Sequence, residues 1–215
     1  MEAFVAILTG VGLAAACGFR VFVPLFLVSL SLNTGVEMPF GLDTALRTLL
    51  NEEMQWLGDP LVTTGLGVAT LVEVGGFYVP WVDNLLDALA TPAAGAAGTF
   101  ISGAFMPELL GDGYTKWAAA LIAGGGASGL VQVSTVLARG ASSASTGGLG
   151  NPLVATFELF SAVVTTILAV LIPLLVIALL IAVIFMLRKL FRDRDDDEKP
   201  INDVNGDPPA GSAEL

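Results

Sequence analysis

The sequence predicts an all-α protein, built as a polytopic transmembrane helical bundle. Three observations predict this class: 54% of the 215 residues are hydrophobic, only 13% are charged, and the mean hydropathy is +0.80. Soluble globular proteins carry about 25% charged residues, so this chain has roughly half the usual charge. The composition excludes a soluble enzyme and a disordered chain. The net charge of −11 excludes the basic surface of a nucleic-acid-binding protein.

Apolar segments of sufficient length follow one another along the chain. A helix needs about 20 apolar residues to cross the hydrocarbon core of a bilayer. Such segments occur at 3–32, 61–79, 82–106, 117–138 and 153–190. The last one is too long for a single upright span, and Pro173 near its middle predicts a kink or a break. We therefore expect five or six spans, with broken or re-entrant helices.

Basic residues directly after the last apolar segment predict the orientation. Arg188, Lys189 and Arg192 lie there, and the positive-inside rule places this end in the cytoplasm. From Asp193 onward the chain has eight acidic and two basic residues. This composition is typical of a disordered, solvated tail. We expect a transmembrane domain over 1–191 and an acidic cytoplasmic tail over 192–215.

An eight-residue motif occurs twice. LGDPLVTT at 57–64 and LGNPLVAT at 149–156 share six of eight residues at an offset of 92. Three helical elements separate the two copies, and an odd number would invert the second one, as in transporters built from inverted repeats. The motif predicts two such repeats over 1–107 and 115–190. The alternative is two similar helix starts, because Asp or Asn before Pro is common where helices begin.

Charged residues inside the apolar segments are the candidate site. Arg20 lies between Gly18 and Pro24, which both weaken a helix, so we expect a broken helix around it. A charge at bilayer depth costs about 2.5–3.5 kcal/mol and usually faces a partner or a water-filled cavity. Glu73 is the expected counter-charge and Glu158 its competitor. A purely structural ion pair is the alternative.

Two further acids, Asp83 and Asp87, are four residues apart and share one helical face. They form either the mouth of a cation path or a helix start in the headgroup region, where acids near an N-terminus are favoured. The complete candidate path for a substrate or ion consists of Arg20, Glu73, Asp83, Asp87, Asn151 and Glu158.

Small residues predict how the helices associate. Gly125 and Gly129 have the GxxxG spacing that allows helices to pack closely, and we expect a homo-oligomer. The serine-rich stretch 142–148 predicts a flexible loop. The chain has no histidine and one cysteine, which removes His-based catalysis, most zinc sites and any internal disulfide. We expect neither enzyme activity nor a cofactor or metal.

Five motifs stand in order along the chain: GFR at 18–20, LVE at 71–73, VPWVD at 79–83, TPAAG at 91–95 and GNP at 150–152. Together they resemble a family of small bacterial multi-pass membrane proteins classified as a domain of unknown function. The resemblance covers about residues 5–185 and implies a protein of the cell inner membrane, with no assigned activity.

The chain departs from the pattern of that family at several positions. The family has an Asp-Lys pair where this chain has Phe77-Tyr78, and a His and a Lys near Gln132 and Thr135. These differences remove ionisable groups and argue against a proton relay built on those positions.

Two functions remain open. The mid-span charges, the expected broken helices and the repeat favour a transporter or channel for a small solute or ion. The missing ionisable groups and the acidic tail favour a non-transporting scaffold or assembly protein whose buried charges are structural. We favour transport. The expected partners are the lipid bilayer, further copies of the chain and a protein that binds the tail.

Overall fold

Every regular element that the structure describes is a helix, which confirms the all-α prediction for these residues. The computed structural model describes residues 2–33, 41–79, 82–111 and 113–173, all within the compact unit Met1–Leu175. The α-helices are α1 (Glu2–Cys17), α2 (Phe22–Leu32), α3 (Leu42–Leu49), α4 (Pro60–Gly76), α5 (Val82–Phe105), α6 (Gly113–Thr146) and α7 (Asn151–Pro173). Glu52–Gly58 and Glu108–Leu110 are 3₁₀ helices, and Leu121–Gly125 is a π-helical turn inside α6.

Two of the described helices, α6 and α7, are each long and apolar enough to cross a membrane. The 3₁₀ helix Glu52–Gly58 and α4 meet at a bend of 63° and count as a third candidate if they form one span. In α6 and α7, 28% of the most apolar stretch is buried inside the protein. Large apolar side chains such as Leu130, Leu153 and Phe160 point outward. An apolar surface of this kind faces lipid or another protein, as in a membrane protein.

The first apolar segment is interrupted where the sequence predicts it. Helix α1 ends at Cys17 and α2 begins at Phe22, so the chain leaves the helix around Arg20. The amides of Gly18 and Phe19 still bond back to carbonyls of α1, at 3.0 and 3.1 Å. No side chain at Val21 caps the start of α2. The first amides of α2 therefore need an acceptor from elsewhere in the fold.

Close glycine contacts set the distance between α5 and α6. A Cβ added at Gly98 would lie 2.6 Å from the Cβ of Ser128, and one at Gly124 would lie 2.3 Å from the Cβ of Ser102. Side chains do not approach one another this closely, so the two glycines allow the helix backbones to meet. Helix α5 packs in the same way against α1, where a Cβ at Gly10 would lie 2.9 Å from that of Phe105.

The predicted GxxxG pair has two different surroundings. A Cβ at Gly125 would lie 2.7 Å from the Thr99 hydroxyl of α5, whereas a Cβ at Gly126 or Gly129 would meet no other described part of the chain within 4 Å. Gly125 therefore packs within the chain. Gly129 is half-buried, and the expected close packing through it does not occur inside the described part of the fold.

The prediction of a flexible loop at 142–148 is wrong for the first five of these residues, because α6 continues to Thr146. The Ser145 hydroxyl donates to the Ala141 carbonyl at 2.8 Å, and the Thr146 hydroxyl donates to the Ser142 carbonyl at 2.7 Å. Hydroxyls that bond back into their own helix can be accommodated there. The helix ends where Gly147 adopts a positive φ of 65°.

Several predictions concern residues outside the described part of the chain. These are the second half of the last apolar segment, the basic residues from 188 to 194, the acidic tail 192–215 and the domain boundary before it. A break at Pro173 also falls at the edge of the described residues.

We expect opposite effects from alanine at two neighbouring glycines of α6. Gly124→Ala should destabilise the protein by about 1–3 kcal/mol, because the methyl group would overlap Ser102 and push α5 away. Gly126→Ala adds a methyl group in open space and lowers the entropy of the unfolded chain, so it should be neutral or stabilising by up to about 1 kcal/mol. Thermal unfolding in one detergent compares the two. Equal changes in Tm would contradict the packing.

Candidate functional site

Buried charged and polar side chains meet where the break between α1 and α2 contacts the other helices. Asp87 is half-buried and the other members are buried. We call this group the charge cluster, and it consists of Arg20, Glu73, Asp83, Asp87, Arg139, Asn151 and Glu158. The structure thus brings together all six residues of the predicted path and adds Arg139.

Glu158 is the acceptor that both arginines share. Its Oε2 lies 3.2 Å from Nη2 of Arg20. Arg139 donates through Nε to Oε1 at 3.0 Å and through Nη2 to Oε2, a bidentate arrangement that is the strong form of this pair. Nε of Arg139 also lies 3.5 Å from the Asp87 carboxylate. One carboxylate of α7 therefore joins the helix break to α6.

Phe77, which follows α4 directly, lies against both guanidinium groups. The Cζ atom of Arg20 is 3.8 Å from the ring centroid, and that of Arg139 is 4.2 Å from it. Attraction between a cation and an aromatic face reaches about 2 kcal/mol where water is excluded. Next to the ring, the Tyr78 hydroxyl bonds to that of Thr156 at 2.8 Å. The C-terminal end of α4 is thus attached to α7.

Glu73, the expected counter-charge of Arg20, caps α2. Its Oε1 accepts a hydrogen bond from the Val21 amide at 2.7 Å, and its Oε2 accepts one from the Phe22 amide at 3.0 Å. A carboxylate at this position satisfies amides that have no partner inside the helix and interacts favourably with the helix dipole. The direct ionic partner of Arg20 is Glu158, and Arg20 Nη2 also donates to the Ala155 carbonyl at 2.9 Å.

Asp83 lies inside the charge cluster, where α5 begins. The Asn151 amide donates to the Asp83 carboxylate and to the Ser143 hydroxyl, both at 3.1 Å. This contact links the first turn of α5 to the first turn of α7 and the end of α6. Asp83 stands in the first turn of α5, as the helix-start alternative predicts, and its side chain is buried.

Three guanidinium nitrogens have no hydrogen-bond partner among the described residues: Nε and Nη1 of Arg20, and Nη1 of Arg139. The two side chains are only 2% and 3% exposed. Buried donors are almost always paired, and an unsatisfied one costs about 1–3 kcal/mol, more when it is charged. These N–H groups of the charge cluster can therefore donate hydrogen bonds to further oxygen atoms, from water or from a ligand. Within the described ranges, no group of three Cys, Asp or Glu residues could hold a metal ion.

Arg139 is the functional candidate that the sequence-based prediction missed. It follows the predicted fourth span by one residue and so looks like a flanking charge. One signal could have found it: no other basic residue occurs between Lys116 and Arg188. Phe77 carries no comparable signal, because an aromatic residue after an apolar span is common at a membrane interface.

We expect Arg20 to be energetically coupled to Glu158. Arg20→Ala or Glu158→Ala alone should cost about 3–5 kcal/mol, because each leaves a buried charge with a missing partner. The double variant should lose less than the sum of the two by about 0.5–3 kcal/mol. Unfolding in detergent measures this cycle, with the exposed Glu53→Ala in place of Glu158→Ala as the control. Strict additivity in the Arg20–Glu158 cycle would contradict the pairing.

Comparison with known proteins identifies the family. A family model described as a domain of unknown function, DUF4126, matches residues 7–193, and the predicted membership in such a family is confirmed. No curated protein and no solved structure matches the chain. The chain belongs to the family of this domain of unknown function, DUF4126.

Proposed function

We propose that the protein is a membrane transporter or channel for a small solute or ion, and that its path includes the charge cluster. The observation that carries this proposal is the chemistry of the cluster. Two arginines and four carboxylates gather between helices of a predominantly apolar protein. Three of the guanidinium nitrogens have no partner within the described residues.

Stability alone is a weak reason for such a cluster. Replacing a buried ion pair by well-packed apolar residues is often neutral or stabilising, and charges at membrane depth are expensive. A polar network whose donors are only partly satisfied is less favourable than an apolar core. A cluster with spare donors is therefore better explained by something that binds there than by helix attachment.

The backbone around the cluster supports the same proposal. Irregular backbone inside apolar segments is tolerated where it is buried or lines a cavity, and transporters bind their substrates at broken helices. Here the break at Arg20 lies beside Glu73 of α4 and Glu158 of α7. Those two helices begin with the two copies of the repeated motif, at Pro60 and Asn151.

Five or six spans in two inverted repeats are part of the proposal, as is an inner-membrane location with the C-terminus in the cytoplasm.

One observation favours the second candidate function, a scaffold whose charges are structural. Arg20 is almost fully buried and bonds directly to Glu158 and to the Ala155 carbonyl. An ion pair whose role is only to hold helices together needs this direct contact. In that case, a substitution of Arg20 would change the stability of the protein, and the wild-type protein would show no solute or ion flux.

Self-association is part of the proposal too. Gly126, Leu130, Val133 and Leu137 form one exposed, apolar face of α6, and a Cβ at Gly129 beside it would meet none of the described residues of other helices within 4 Å. A small residue on an apolar face allows a second copy to approach closely.

Transport is tested by reconstitution in liposomes. We expect flux or current above that of empty liposomes for the wild-type protein, and a change in selectivity for Arg20→Gln, because the substitution removes the positive charge of the path. Arg47→Gln is the control, since Arg47 lies outside the cluster in α3. If a broad panel of ions and metabolites gives no flux, the scaffold function replaces this proposal.

Self-association is tested by native mass spectrometry in mild detergent and in lipid nanodiscs. We expect oligomers of the wild-type protein, and weaker ones for Gly129→Leu, because leucine would hold the facing helices apart. Gly125→Leu is a poor test, since Gly125 packs against Thr99 within the chain. Monomers of the wild-type protein in both environments would contradict the proposal.

A further inference from the structure

Among the described residues, the unused hydrogen-bonding atoms buried in the charge cluster are all donors. They are Nε and Nη1 of Arg20 and Nη1 of Arg139, and no carboxylate oxygen of the cluster is among them. A metal cation binds to free oxygen acceptors, whereas a phosphate or carboxylate group binds to free N–H donors. The unpartnered atoms therefore fit an oxyanion rather than a cation.

The two guanidinium groups that carry these donors lie beside each other. Both lie against the ring of Phe77, with Cζ atoms 3.8 and 4.2 Å from its centroid, and both contact Oε2 of Glu158. They come from different parts of the chain, the helix break and α6. Planar guanidinium groups bind the oxygens of phosphate and carboxylate groups through paired N–H bonds. A ligand held by both arginines would thus satisfy donors that the fold leaves without a partner.

Three of the four carboxylates in the charge cluster are held by hydrogen bonds. Glu158 binds both arginines, Glu73 accepts from the first amides of α2, and Asp83 accepts from the first residue of α7. Asp87 is held more loosely, because its carboxylate lies 3.5 Å from Nε of Arg139 and its side chain is 19% exposed. The Asp87 carboxylate is therefore the one that an arriving oxyanion can displace.

The position of Asp87 indicates from which side a ligand arrives. Asp87 lies in the second turn of α5, which begins at Val82. On either side of it along the chain, Leu85 and Leu89 are exposed. The charge cluster thus borders the outer, apolar surface of the helices at this point. An oxyanion that belongs to a lipid and a small soluble oxyanion share the chemistry that arginines recognise, and both could reach Arg139 from this side.

We propose that the charge cluster is a binding site for an oxyanion group, phosphate or carboxylate. The free N–H groups of Arg20 and Arg139 hold the group, which enters where Asp87 gives up its contact with Arg139. When the Asp87 side chain turns to its exposed side, the ligand takes its place, so one negative group beside Arg139 is exchanged for another. This inference rests on the proposed transport function and names the class of its substrate.

Binding is tested by thermal unfolding of the full-length protein in neutral detergent, since a ligand of the folded state raises Tm with increasing concentration. The probes are inorganic phosphate, compared with sodium chloride of equal ionic strength, and short-chain phosphatidic acid, compared with the matching diacylglycerol. We expect a saturable rise in Tm from at least one phosphate probe. A rise from phosphatidic acid alone identifies a lipid as the ligand, and a rise from inorganic phosphate alone identifies a soluble oxyanion.

Asp87→Asn distinguishes an oxyanion site from a cation site. The substitution keeps the size of the side chain and removes the competing negative charge, so we expect the effective probe to bind at least about threefold more tightly. A cation site would lose affinity on the same change. Glu53→Gln is the matched control and should leave the affinity unchanged, because Glu53 is exposed and lies outside the charge cluster.

Two results would overturn the oxyanion site: no rise in Tm with either phosphate probe, or binding to Asp87→Asn that is no tighter than binding to Glu53→Gln. Cation flux from wild-type liposomes, together with either result, would leave the transport function standing. Oxyanion binding that is tighter in Asp87→Asn, without flux of any solute or lipid from wild-type liposomes, would instead overturn the transport function and leave the site standing.

Discussion

The shared carboxylate of Glu158 is the interaction on which the charged interior depends. It holds the guanidinium groups of Arg20 and Arg139, which both lie against the ring of Phe77 and would otherwise repel each other. Electrostatic attraction is strong where water is excluded, so this one side chain stabilises the positions of the helix break, α6 and α7. The number of hydrogen bonds that it can accept is also limited, because one carboxylate cannot accept a hydrogen bond from every N–H of two arginines. The spare donors follow from that limit.

Close helix packing is the second constraint. Glycines let α5 contact both α1 and α6 along its length, and the same closeness encloses Ser102 between them. Small residues thus set the distance between the helix backbones in this part of the fold.

The two copies of the repeated motif show how tertiary contacts change the use of one local sequence. Asp59 caps α4 in the way that the motif predicts, by accepting a hydrogen bond from the Leu61 amide at 2.8 Å, and it is exposed. Asn151 opens α7 at the equivalent position, but its side chain is buried and binds Asp83 and Ser143. Both begin a helix before proline, which is a local preference. Only the neighbours that reach Asn151 make it part of the charge cluster.

The sequence by itself determined the all-α class, the apolar character of the helices and the break at Arg20, because hydrophobic segments and helix-weakening residues act locally. It also indicated which buried polar residues would matter, since polar groups in apolar segments are few and expensive. The tertiary structure decided their partners. Glu73 caps α2, Glu158 holds Arg20, and Arg139, which looks like a flanking charge in the sequence, completes the cluster. Pairing depends on which helix faces which, and that is set by long-range packing rather than by neighbouring residues along the chain.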